Sequence, residues 1–141
     1  MAFLKVNSQL LIDRMELMRQ AAPDIEAAAV VSLDGLIMAS ALPEGFSEDR
    51  VSAMSAAMLS LGEQISKELA RGPLEQLYTK GTDGYVILMA VGSEAVLTVL
   101  IKPEAKLGIL LLEIRRTADD LLKILLEEEQ KAQNEKRSVL P

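Results

Sequence analysis

The chain has 141 residues, 50% of them hydrophobic and 26% charged, with a formal net charge of −6 and neither cysteine nor histidine. That composition excludes disulfides, thiolate metal sites and Ser–His or Cys–His catalysis, and it removes the usual general base and neutral-pH switch. The length suits one domain. Nucleic acid is not an expected partner, because phosphate neutralisation needs a basic face and the pair Arg115 and Arg116 sits between carboxylates. Met1 to Ser8 lack the apolar run and small-residue cleavage pattern of a signal peptide, and no stretch reaches the roughly 18 residues of a membrane span. A cytoplasmic protein without membrane insertion is expected.

Asn7 or Ser8 can cap a first helix that runs to about Ala22, with Leu11, Met15, Met18 and Ala22 at helical spacing and Pro23 ending it. Ile25 to Ser32 and Leu36 to Ala41 are apolar runs flanking Leu33-Asp34-Gly35, which reads as strand, tight turn, strand. Ser47 is a good N-cap, with Glu48 and Asp49 in the first turn where the helix dipole favours them, and the second helix runs to about Ala70 before Gly72-Pro73.

This second helix carries no charge from Val51 to Gly62. Val51, Met54, Met58, Leu61 and Ile65 form one apolar stripe, and Ser52, Ser55, Ala56, Leu59 and Gly62 form a face of small residues. A helix without a charged face is covered on more than one side, either by a wide core or by a core and a further chain. Leu74 to Lys80 reads as a polar third strand suited to a sheet edge. After Gly81-Thr82-Asp83-Gly84, the runs Tyr85 to Val91 and Ala95 to Ile101 lack alternation, which predicts strands covered on both faces. A last helix runs from Leu107 to about Lys131 with Leu107, Leu111, Ile114, Ala118, Leu121, Leu122 and Leu125 inward.

The order α-β-β-α-β-β-β-α predicts an α+β domain, a five-stranded antiparallel sheet with helices on both faces. It spans residues 1–126, and 127–141, opening on Glu127-Glu128-Glu129, is expected to be a charged extension, a frayed helix end or a disordered tail.

The order of elements and the segment Val30 to Ser40 resemble the Roadblock / dynein light chain domain family. The likeness continues through Ala53-Met54-Ser55-Ala56-Ala57-Met58-Leu59-Ser60-Leu61-Gly62-Glu63, Gly92 to Ile101 and Leu107-Gly108, and covers roughly residues 8 to 126. Single-domain prokaryotic members of MglB-like type are the most similar in kind. The resemblance implies a profilin-like sandwich, a homodimer, and regulation of a Ras-like small GTPase, with some members acting as GTPase-activating proteins. It also implies pairing of third strands and side-by-side second helices across the dimer.

The residues agree with that assembly, since the polar third strand is an edge and the second helix has surplus apolar surface. Met54, Ser55, Met58, Leu59, Leu61 and Gly62, with Glu75, Gln76, Leu77, Tyr78 and Thr79, are the expected dimer interface. Ser52, Ala56, Ser60, Glu63 and Lys67 are the expected rim for the partner, to which the helix from Ser47 to Arg71 would dock. Asp34-Gly35 is read as turn chemistry. Arg50, Arg71, Arg115 and Arg116 could each be an arginine finger, but no spacing singles one out. Neither G-x-x-x-x-G-K-[ST] nor G-x-G-x-x-G occurs, and no carboxylate pair stands in an apolar context, so no catalytic residue, cofactor or metal is expected. The competing reading is a structural adaptor, a scaffold in a cytoskeletal or signalling complex without effect on GTP hydrolysis. A small-ligand sensor would lack polar anchors.

Overall fold

The computed structural model describes residues 8–139. The cap expected at Asn7 lies outside them, as do Met1 to Val6, Leu140 and Pro141. The elements are α1 (Ser8–Ala21), β1 (Ile25–Ser32), β2 (Ile37–Ala41), α2 (Glu48–Glu68), β3 (Gln76–Gly81), β4 (Gly84–Val91), β5 (Ala95–Ile101) and α3 (Leu107–Val139). The strands form one antiparallel sheet in the order β2-β1-β5-β4-β3, which leaves β2 and β3 as its edges.

The expected element order holds throughout, with small shifts at ends. The β1–β2 connection is the four residues Leu33 to Leu36, in which Gly35 N–H donates to Ser32 C=O at 3.0 Å and Ser32 N–H donates to Leu36 C=O at 2.9 Å. Only Gly35 (φ 84°) takes the left-handed conformation there, so Asp34 supplies an ordinary turn position. The third strand starts at Gln76 rather than Leu74, because Leu74 is turned under α2 against Gly62. The last helix continues past Lys131 to Val139.

The two faces of the sheet are packed differently. On one, Leu11, Met15 and Met18 of α1 and Leu110, Ile114, Ala118, Leu121 and Leu125 of α3 meet alternate residues Val30, Ile87, Met89, Leu97 and Val99. This is the main core, tied at its rim by an ion pair between Arg14 Nε and Asp120 Oδ2 at 2.8 Å. On the other, α2 contributes Leu59 to a small cluster with Leu88 and Val96, flanked by Met58, Leu74, Leu77 and Val86. Both faces of β4 and β5 are thus covered, as their continuous hydrophobicity requires.

One glycine marks how tightly the sheet closes. A Cβ on Gly84 (φ 149°) would stand 2.5 Å from the backbone carbonyl oxygen of Ile101, with no side chain able to yield. Gly84→Ala is expected to lower stability by about 2–4 kcal/mol in urea unfolding. Gly108→Ala, where nothing lies within 4 Å, is the control and should be neutral or slightly stabilising. Equal midpoints for the two variants would contradict the close approach.

Candidate functional site

α2 begins with Ser47, whose Oγ accepts from Arg50 N–H at 3.2 Å, and with Glu48 and Asp49 in its first turn. It ends where Ala70 turns to φ 55° and Arg71 N–H donates to Ser66 C=O at 2.7 Å. Between these caps the helix lies on the sheet through its small face. Ser52, Ser55, Leu59 and Gly62 are its buried residues. Their spacing of three, four and three keeps them on one side of the helix.

The sheet surface beneath is itself fine-grained, with Ala27, Ala29, Val31, Val96 and Thr98 all buried. Thr98 Oγ1 donates to Ser55 Oγ at 2.9 Å, and Ser52 Oγ donates to Glu48 C=O at 2.6 Å, so neither buried hydroxyl is left unpaired. Small residues on both surfaces let helix and sheet approach closely, and no room remains for the larger side chains of the helix.

The larger side chains therefore face outward. Met54, Leu61, Ile65 and Leu69 are 58%, 64%, 60% and 60% exposed. Val51, Met54, Met58, Leu61 and Ile65 recur at alternating intervals of three and four, the seam pattern of a helix that pairs with another helix, and Leu69 follows at the C-cap. This seam lies on the β3 flank of α2. Met58, Leu61, Gly62, Ile65 and Leu77 line an open groove of about 600 Å³ between α2 and β3, with Gln64 and Glu68 at its rim. Tyr78, 55% exposed on the free edge of the sheet, lies on the opposite face of β3 from Leu77. Isolated exposed apolar residues are ordinary, but a contiguous apolar run along one helix and into a groove marks an interaction surface.

Several expectations are corrected by this arrangement. Ser55 and Leu59, expected at the dimer interface, are buried against the sheet of their own protomer, and Gly62 is buried beside Leu74 and Leu77 at the floor of the groove. Ser52, expected at an exposed rim, is fully buried. Their small size is what brings the helix so near the sheet. Met54 and Leu61 are exposed, Met58 is half-buried on the same flank, and Glu75, Tyr78 and Thr79 are exposed with Gln76 and Leu77 half-buried. Ser60, Glu63 and Lys67 are exposed and Ala56 is half-buried. These four lie on the opposite flank, Glu63 and Lys67 beside Gly92 and Ser93 of the β4–β5 turn, and Ala56 beside the β1–β2 loop, where a methyl group on Gly35 would stand 3.5 Å from Ala53 Cα and 3.9 Å from Ala56 Cβ. Leu33 and Leu36, half-exposed on that loop, extend this second flank and were not singled out by the sequence. Their signal is weak, since exposed leucines beside a turn are common.

The four arginines considered as fingers are exposed. Arg115 pairs with Glu75 at 3.6 Å and donates to Gln76 at 3.4 Å, and Arg71 Nε donates to Leu69 C=O at 2.9 Å. Among the described residues no cluster of His, Cys, Asp or Glu could hold a metal ion, and no helix is long and apolar enough to cross a membrane.

Residues 11–101 match the Roadblock/LC7 domain. An uncharacterised protein of Methanocaldococcus jannaschii is 32% identical over 111 residues, covering 79% of this chain and 96% of its own length. Among solved structures, Myxococcus xanthus MglB superposes with a TM-score of 0.79 at 18% identity, over 86% of this chain and 92% of that one. An MglB structure with a tetrameric arrangement gives 0.78 at 18% identity, over 86% and 91%.

Proposed function

The chain belongs to the Roadblock/LC7 domain family, and from that membership we propose that it is a non-catalytic, cytoplasmic homodimer that binds and regulates a Ras-like small GTPase. The observation that carries the reading is the outward seam of α2, from Met54 to Leu69, continuous with the groove to Leu77. Such a surface is unstable in water as a free face and is suited to a protein partner. The tetrameric arrangement of a similar MglB supports self-association in this fold.

The division of α2 into two flanks gives each contact its own place. The seam on the β3 side serves a second copy. The opposite flank, with Ala56 beside the β1–β2 loop and Ser60, Glu63 and Lys67 further along the helix, stays open for the GTPase. Preference for the GTP form would make the chain a sensor of nucleotide state, since only differential affinity for two states can distinguish them, and activation of hydrolysis would further require tighter binding of the transition state than of the GTP form.

The test is capture of Ras-like GTPases from native extract by the immobilised chain, with a GTP analogue and with GDP in parallel. Enrichment of a Ras-like GTPase with the analogue, followed by faster hydrolysis in a purified mixture, is the expected result. Capture of no GTPase in either nucleotide would contradict the proposal. Equal capture in both would favour an adaptor that is blind to nucleotide state.

A further inference from the structure

α2 stops short of one end of the sheet face that it covers. Ala29, Thr98, Leu88 and Leu77 stand side by side across β1, β5, β4 and β3 and lie beneath the helix or at its edge. Two residues along each strand, Ala27, Leu100, Val86 and Thr79 are aligned in the same way, and strand alternation turns them to the same face. In that second row Leu100 and Val86 are only half-buried and Thr79 is exposed. With Phe46, 50% exposed in the loop before α2, they line an open trough of about 450 Å³. Glu26 on β1 and Asp83 in the β3–β4 turn also line it. The trough shares no lining residue with the groove at Leu77 or with the flank of Glu63 and Lys67.

The two carboxylates are exposed, and among the described residues neither takes part in an ion pair or a side-chain hydrogen bond. No lysine or arginine lines the trough. Lys80, the cation of β3, is turned to the other face, where its Nζ stands 5.9 Å from the centre of the Tyr85 ring. Adjacent strands are about 4.8 Å apart, so Glu26 on β1 and the turn after β3 are separated by roughly 10–14 Å, more than one side chain covers. An apolar floor with a carboxylate toward each end is the complement of an extended chain that is basic at both ends and apolar between. Side chains on one side of an extended chain are about 6.8 Å apart, which sets the basic, apolar and basic residues at alternate positions.

We propose that the trough receives an extended segment of a partner protein in which a lysine or arginine, an apolar residue and a second lysine or arginine occupy alternate positions. The apolar residue lies on Leu100 and Val86. The stems of the basic residues run over the floor and Phe46, and their charged heads reach Glu26 and Asp83. The formal net charge of −6 draws such a segment toward the chain, and the apolar floor decides where it rests. The trough is separate in its residues from both flanks of α2, so the proposal stands apart from the GTPase reading.

The probe is the peptide acetyl-Lys-Thr-Leu-Thr-Lys-amide, titrated into the isotopically labelled full chain at low salt and followed by amide NMR. Shifts centred on Thr82, Val86 and Leu100 are expected. Glutamate in place of both peptide lysines should abolish them, and serine in place of the peptide leucine should weaken binding about fivefold. Glu26→Gln and Asp83→Asn together should weaken it about tenfold, because each exposed charge pair contributes modestly. Both positions are exposed, and a thermal melt equal to the parent's shows that the variant folds. Glu127→Gln, Glu128→Gln and Glu129→Gln together should leave binding unchanged. Shifts centred on that acidic triplet, equal binding of the serine peptide, or no shift at millimolar peptide would overturn the proposal. Shifts at Thr82, Val86 and Leu100 that appear without peptide as the chain is concentrated would assign the trough to a second copy and overturn it as well.

Discussion

Leu59→Glu is expected to detach α2 and lower stability by about 4 kcal/mol or more, a loss reserved for a few mechanisms of which an unpaired buried charge is one. Leu59 is 2% exposed and is the only fully apolar side chain that α2 buries against the sheet. Its partners are Leu88 and Val96. Burial of such a side chain contributes about 2–3 kcal/mol, and a carboxylate there finds no cation, since the buried polar neighbours are the hydroxyls of Ser55 and Thr98. The thermal midpoint should fall by about 10–15 °C by circular dichroism. Leu59→Met, which keeps the volume, should cost less than about 1.5 kcal/mol. An unchanged midpoint for Leu59→Glu would mean that α2 does not rest on this face.

Leu61→Glu, two residues away, is expected to do the opposite. Leu61 is 64% exposed, so its replacement should leave the folded protomer within about 0.5 kcal/mol of the parent. Association should suffer instead. Each dimer carries the change twice, in the middle of the seam between Met58 and Ile65, and Glu63, Gln64 and Glu68 supply no compensating positive charge nearby. Loss of two buried leucines, at about 1.5–2 kcal/mol each, weakens the dimer by about 100-fold or more. The measurement is dimer dissociation by analytical ultracentrifugation beside a thermal melt. A variant that melts like the parent and still dimerises as tightly would remove the seam from the interface.

The opposite fates of these neighbouring residues show where the sequence is informative and where it is not. Both stripes of α2 can be read from spacing alone, and so can the caps at Ser47 and before Gly72. Which stripe meets the sheet cannot be read from the helix, because apolarity points to Met54, Met58, Leu61 and Ile65 as the inner face. The answer lies in the sheet. β1 presents Ala27 and Ala29 to α2, and β5 presents Thr98, a polar residue within an otherwise apolar run. Small surface matched to small surface, and one hydroxyl to another, selects the Ser52-Ser55-Leu59-Gly62 face. A threonine in a strand buried on both faces is the signal that a hydroxyl partner waits on the covering helix.

The strands were more legible than the connections between them. β5 begins and ends where its apolar run does, because turn residues bound it on both sides. The start of β3 was less so. Leu74 looks like a strand residue but serves as a wedge under α2, a tertiary role that no local pattern encodes. Leu33 and Leu36 carry no local signal either. They flank Gly35, whose close approach to Ala53 and Ala56 only the packed hairpin reveals.

The central claim is that the outward seam of α2 is an interface, and the mass of the unmodified chain tests it most directly. Sedimentation equilibrium at micromolar concentration is predicted to give about twice the 15.3 kDa of one chain, with Leu61→Glu run beside it giving the single-chain mass. A mass of 15.3 kDa for the unmodified chain across the whole concentration range would contradict the account.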